Sequence, residues 1–154
     1  MSSRIYNLVI VAMMLIPVFS LSEELPNMKK AAEIATDILY IEVVDFYGSS
    51  YIEADISRIL KGSYNNKVWV DRSIDEGDKY PFIVGERYIL FLRETIGDTF
   101  KIIGPDVDWA VHIIDESGNI DFTTFVDING TLTLDETADL INSYIDPFYN
   151  KDEE

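Results

Sequence analysis

Residues 50–60 read SYIEADISRIL, and in them Ile52, Ala54 and Ile56 alternate with Tyr51, Glu53, Asp55 and Ser57. Side chains along a strand point to opposite faces with a period of two, so the pattern predicts a strand with one buried and one wet side. Upstream, TDILYIEVVDF (residues 36–46) is dense in β-branched and aromatic residues, which favour another strand. Tyr47-Gly48-Ser49-Ser50 supplies the turn between the two. Downstream, KGSYNN (61–66) turns the chain again, and KVWVDR (67–72) gives a third strand with Val68 and Val70 inward.

The same pattern extends toward both ends. Residues 73–85 are polar and acidic, then carry Tyr80, Pro81 and Phe82, and read as a long surface loop. RYILFL (87–92) is apolar on both faces, as expected for a strand covered on both sides. Gly97-Asp98 turns into TFKIIG (99–104), and a loop at 105–108 leads to WAVHII (109–114). A turn over Asp115–Asn119 precedes a last strand, IDFTTF (120–125). At the front, MKKAAEIA (28–35) reads as a short helix with Met28, Ala31, Ala32 and Ala35 on one face. At the back, Thr133 and Glu136 form a capping box, and Leu134, Ala138, Ile141 and Ile145 recur at helical spacing up to Pro147. Many closely spaced strands without βαβ alternation predict a mainly β fold, a small closed barrel or a sandwich, and of the two the pattern favours a closed barrel of five to six strands with a helix at each end.

Composition fits a single folded domain. The chain has 154 residues, 47% hydrophobic and 12% aromatic, with no cysteine, which excludes a disordered chain or a disulfide-stapled miniprotein. Twelve basic residues face 28 acidic ones, a net charge of −16 that repels phosphate backbones, so nucleic acid is not an expected partner. Arg4, the apolar run Leu8–Phe19 and the small residues Ser20 and Ser22 predict a signal peptide over 1–22, cleaved before Glu23. The run is shorter than the roughly 20 residues that span a bilayer, so stable membrane insertion is not expected after cleavage. The expected division is a leader (1–22), a linker (23–27), a barrel (28–126), a helical extension packed on it (127–149) and an acidic tail (150–154). The expected location is outside the cell or at its surface.

Four pieces carry a resemblance to a known family: RILKG (58–62) closing the second strand, KVWV (67–70), FIVGERYILFL (82–92), and an N-terminal helix running directly into the first strand as AAEIATDILYIEVV. They resemble the netrin-like domain, the OB-fold barrel shared with the tissue inhibitors of metalloproteinases, in a cysteine-free secreted microbial form. The resemblance spans residues 28–125, and its most specific pieces are Lys61-Gly62 and Gly85-Glu86-Arg87-Tyr88. It implies an OB-like barrel and a binding role. Animal inhibitors of the group chelate the protease zinc through an N-terminal Cys-x-Cys. The start expected here is Glu23-Glu24-Leu25-Pro26, so that mechanism does not carry over. The pieces also have plain structural readings: Gly62 and Gly85 suit positive-φ turns, Glu86 and Arg87 can pair at the surface, and Tyr88, Leu90 and Leu92 can fill the barrel.

Residues suited to catalysis are sparse. The single histidine, His112, lies among apolar neighbours, and no Gly-x-Ser-x-Gly elbow is present to pair with it. No catalytic residue, metal site or cofactor is expected. Asp106 and Asp108 flank Val107, and Asp115, Ser117, Asn119 and Asp121 alternate as calcium ligands do, but Gly118 and Val126 break the EF-hand spacing. A hairpin turn explains the alternation more simply. Asn129-Gly130-Thr131 is a glycosylation sequon in an expected turn. The remaining candidates are aromatic: Tyr47, Tyr51, Tyr64, Trp69, Tyr80 and Phe82 gather near the turns and on the outward side of the second and third strands. Such rings either close the barrel or form an interaction face, since OB barrels bind ligands on that side. The expected function is an exported, non-enzymatic protein-interaction module. The alternatives are a peptidase inhibitor of altered mechanism and, third, a small hydrolase using acidic residues.

Overall fold

The computed structural model describes residues 27–63, 67–74, 77–95, 99–103, 110–146 and 148. The expected leader, the acidic tail, Tyr64, Asp106, Asp108 and the Gly97-Asp98 turn lie outside them. Helix α1 (Met28–Ile34) leads into β1 (Asp37–Tyr47), β2 (Tyr51–Lys61), β3 (Lys67–Asp71), β4 (Arg87–Glu94) and β5 (Thr99–Ile102). After these come β6 (Val111–Ile113), β7 (Asn119–Asp121), β8 (Thr131–Thr133) and α2 (Leu134–Ile145).

Strands run in the order β1-β2-β3-β5-β4, and β1 pairs with β4 to close the ring. The β3–β5 pair is parallel, and the other pairs in the ring are antiparallel. This is an OB-like barrel of five strands with β6 outside it. The long first strand makes closure possible, because β1 pairs with β2 along its whole length and with β4 from Asp37 to Glu42. Three irregularities in the β1–β2 register, at Ile38/Leu39, Tyr40/Ile41 and Val43/Asp45, add the local twist a small barrel needs. The other edge of β4 is shared: β5 takes Leu92–Glu94 and β6 takes Tyr88–Leu90.

Register sorts the side chains. Leu39, Ile41, Val43, Ile52, Ala54, Val68, Val70, Tyr88, Leu90, Leu92 and Phe100 fill the barrel and are buried. Among the intervening, outward-facing residues, Ile38 of β1 and Ile89 and Phe91 of β4 are buried too, because a second layer covers them. Phe91 and His112 meet there edge to face at 5.9 Å, and His112 lies 4.6 Å from Phe122 and 5.0 Å from Phe125. Sheet β7–β8 and the two helices complete this layer, with Met28, Ala31, Ala32, Ala138 and Ile141 buried within it.

The helices are fastened by partners distant in sequence. Asn27 caps α1, and the Asp127 carboxylate accepts from the backbone N–H of Met28 (2.8 Å) and of Lys29 (3.1 Å). At the other end the Lys61 ammonium donates to the carbonyls of Ala32 (2.8 Å) and Ala35 (2.6 Å), placing a cation where the helix dipole is negative. Lys61-Gly62 thus has a structural task, with Gly62 at φ 102°. Helix α2 starts at the expected capping box of Thr133 and Glu136.

Three expectations need correcting. The strand expected over 120–125 ends at Asp121, after which Phe122 and Phe125 turn inward to the His112 layer. The extension over 127–149 is not wholly helical, because Thr131–Thr133 first pair with β7. Arg87 has no ion pair with Glu86 among the described residues. Its guanidinium donates to the Tyr40 hydroxyl (3.2 Å) and the Asp115 carbonyl (3.3 Å).

Candidate ligand-binding face

The turn between β1 and β2 is held from outside. Gly48 takes φ 62°, which only glycine adopts freely. Arg72, just beyond β3, donates through Nε and Nη2 to the Ser49 carbonyl (3.3 and 3.2 Å), and its backbone N–H donates to that of Ser50 (2.9 Å). The same guanidinium lies 4.8 Å from the centroid of the Phe46 ring. The hairpin is therefore tied to β3, and the residues at its base keep fixed positions.

Those residues are aromatic. Tyr47 opposes Tyr51, Tyr51 opposes Asp71, and Glu53 opposes Trp69, which in turn opposes Thr99 across the parallel pair. Opposed residues share a face, and Val68, Val70, Ile52 and Ala54 occupy the other one, so Tyr47, Tyr51, Trp69 and Thr99 stand on the outer surface. Tyr47 is 68% exposed and Trp69 39%, too much for core residues. Together the four line a shallow, open depression of about 340 Å³. It sits on the β2–β3 side between the β1–β2 hairpin and the start of β5, where OB barrels commonly take ligands. Beside it, Lys67 pairs with Glu53 (2.5 Å) and approaches Asp55 (3.8 Å). The hydrogen bond and charge of Glu53 raise the Lys67 pKa above its ordinary value.

The structure brings three of the expected rings together, Tyr47, Tyr51 and Trp69. It removes Phe82 from the face: Phe82 is 4% exposed, so it belongs to the core. Tyr80 is half-buried beside it, with ring centroids 4.6 Å apart, and Phe82 packs edge-on to Tyr88 at 5.0 Å. These rings close an end of the barrel. The Tyr88 hydroxyl accepts from the Ile83 N–H (3.2 Å), and burial pushes its pKa up. Thr99 was not expected on the face. It faces Trp69 only through a parallel pairing, which leaves no periodic trace in the sequence.

Elsewhere the polar residues serve the fold. His112 is buried among Phe91, Phe122 and Phe125, with Nδ1 3.3 Å from the Asp121 carbonyl. The Asp115 carboxylate accepts from the N–H groups of Ser117 (2.9 Å) and Asn119 (2.8 Å), making the hairpin turn expected there. Asp121 accepts from Thr123 (2.8 Å), and these bonds hold its pKa below the usual carboxylate range. Among the described residues, no group of three or more His, Cys, Asp or Glu is placed to hold a metal ion. None of the described helices is long and apolar enough to cross a membrane. Asn129 is exposed, ahead of Gly130 at φ 100°. No protein-family model matches the chain, and no curated protein is significantly similar to it in sequence.

Proposed function

We propose that the chain is a non-enzymatic binding module of netrin-like type, exported, that captures a protein partner on the face built from Tyr47, Tyr51, Trp69 and Thr99. The observation that carries this reading is the cluster of exposed and half-buried rings on the outer side of β2 and β3, set beside a hairpin tied to Arg72 and outside the core. Tyr and Trp offer large contact area at small entropic cost and are enriched at protein interfaces. The acidic surface argues against the basic grooves that accompany stacking on nucleic acid.

A cross-linked pull-down from intact cells tests the reading, with the tagged full chain as bait and Tyr51→Ala/Trp69→Ala as control. A partner captured by the native chain and lost with the double variant is the expected result. Equal capture by both would overturn the face. A peptidase as the captured partner would turn the module into an inhibitor.

A further inference from the structure

The outer face carries charge as well as rings, and the following inference rests on reading it as the binding face. Carboxylates alternate with aromatics across the register: Asp71 opposes Tyr51 on β2 and Lys101 on β5, and Glu53 opposes both Trp69 and Asp45. Glu53 and Asp55 already hold one ammonium, that of Lys67. Asp71 differs. Its Oδ1 accepts from the N–H and the hydroxyl of Ser73 (2.9 and 2.6 Å), and its second oxygen has no hydrogen-bond partner among the described residues. The face of an aromatic ring is itself electron-rich and attracts cations. The hairpin beneath already shows this preference, with the Arg72 guanidinium over Phe46. A net charge of −16 draws cationic partners in and turns anionic ones away. The depression, at about 340 Å³, is at the low end of ligand pockets, suited to one side chain rather than to a large ligand.

We propose that the depression receives an arginine side chain from a basic segment of the partner protein. The guanidinium rests against Tyr47, Tyr51 and Trp69, with Asp71 at its edge. Arginine suits the site better than lysine because its planar head stacks on rings while its edge donates to a carboxylate. A neutral glycan would use the rings and could donate a hydroxyl to Asp71, but it would gain nothing from the net charge.

The test uses the full chain and three probes: an end-capped tetra-arginine peptide, its tetra-citrulline counterpart of near-identical shape, and an uncharged hexose oligomer. Calorimetry gives the affinity, and the indole N–H signals of the two tryptophans give the location. Tetra-arginine should bind saturably and move the Trp69 signal, while tetra-citrulline should leave it in place. Trp69→Ala should weaken binding about tenfold. Asp71→Asn should weaken it several-fold with the melting temperature unchanged. If both variants bind tetra-arginine as well as the native chain, the attraction is diffuse and the proposal fails. If the hexose oligomer moves the Trp69 signal and tetra-arginine does not, the face is a glycan site and the proposal again fails. If tetra-arginine does not bind while the pull-down still depends on Tyr51 and Trp69, the cation is wrong and the face stands. A pull-down indifferent to those residues would remove the face itself.

Discussion

Strands β4 and β3 line the same barrel, yet their outward sides differ. In β4 five consecutive residues, Tyr88 to Leu92, are buried, because β6 and the layer around His112 back the outer side. In β3 burial alternates: Val68 and Val70 are inside, while Lys67 and Trp69 meet solvent. An apolar residue facing outward from β4 is explained by the fold that covers it. Trp69, facing outward from β3, has no such explanation. A tryptophan left 39% exposed contributes less burial than the covered rings of the opposite side, which stabilise the domain. That contrast separates the candidate binding surface from the structural aromatic layer.

The contrast can be broken by measurement. The largest effect is expected on the covered side: Phe91→Ala should cost about 3–5 kcal/mol in urea-induced unfolding, from lost burial plus a cavity. A cost below about 1 kcal/mol would mean the outer layer is loosely packed and the two sides are alike. Next comes Lys61→Met, which leaves the last carbonyls of α1 without their ammonium and should cost about 1–2 kcal/mol in the same assay. An unchanged midpoint would detach α1 from the stability of the covered side. Smaller still, Tyr51→Ala/Trp69→Ala should shift stability by no more than about 1 kcal/mol, as surface changes do. A loss matching that of Phe91→Ala would make the bare face part of the core.

The smallest effect concerns pH. Bonds from Thr123 lower the pKa of Asp121 in the folded chain, so its contribution is present above the unfolded pKa and is lost as pH falls through the folded one. Native Asp121 should thus favour folding at neutral pH, and the advantage over Asp121→Asn should shrink below about pH 4. Thermal melts of both forms across that range measure it. An advantage that grows on acidification would reverse the sign and contradict the bonding seen at this exposed carboxylate.

Much of the barrel was legible because its signals are local. The alternation over Tyr51–Ile56, the two-sided apolar run of β4 and the Thr133/Glu136 capping box each reveal themselves within a few residues. What escaped was set by distance. Phe82 and Tyr80 stand in a polar loop, where rings look exposed, and only the folded chain shows them packing on Tyr88. Strand β8 and the early end of β7 escaped because each strand has three residues, too few for a period to declare itself. Three of the four residues of the candidate face were readable from local signals, Tyr47 from its place beside the β1–β2 turn. Tyr51 and Trp69 lie in strands of clear alternation, while Thr99 joins them through a parallel pairing that no local pattern announces.

The capping of α1 by Asp127 has a consequence for the order in which the chain acquires its shape. The carboxylate and the Met28 N–H it accepts from are 99 positions apart. A chain emerging from the ribosome delivers α1 well before Asp127. Closing so long a loop carries an entropic cost that grows only slowly with length, but it cannot happen before the far end arrives. The N-terminal end of α1 is therefore fastened to the rest of the domain only after Asp127 has been made, whereas Lys61 can hold its other end once β2 is complete.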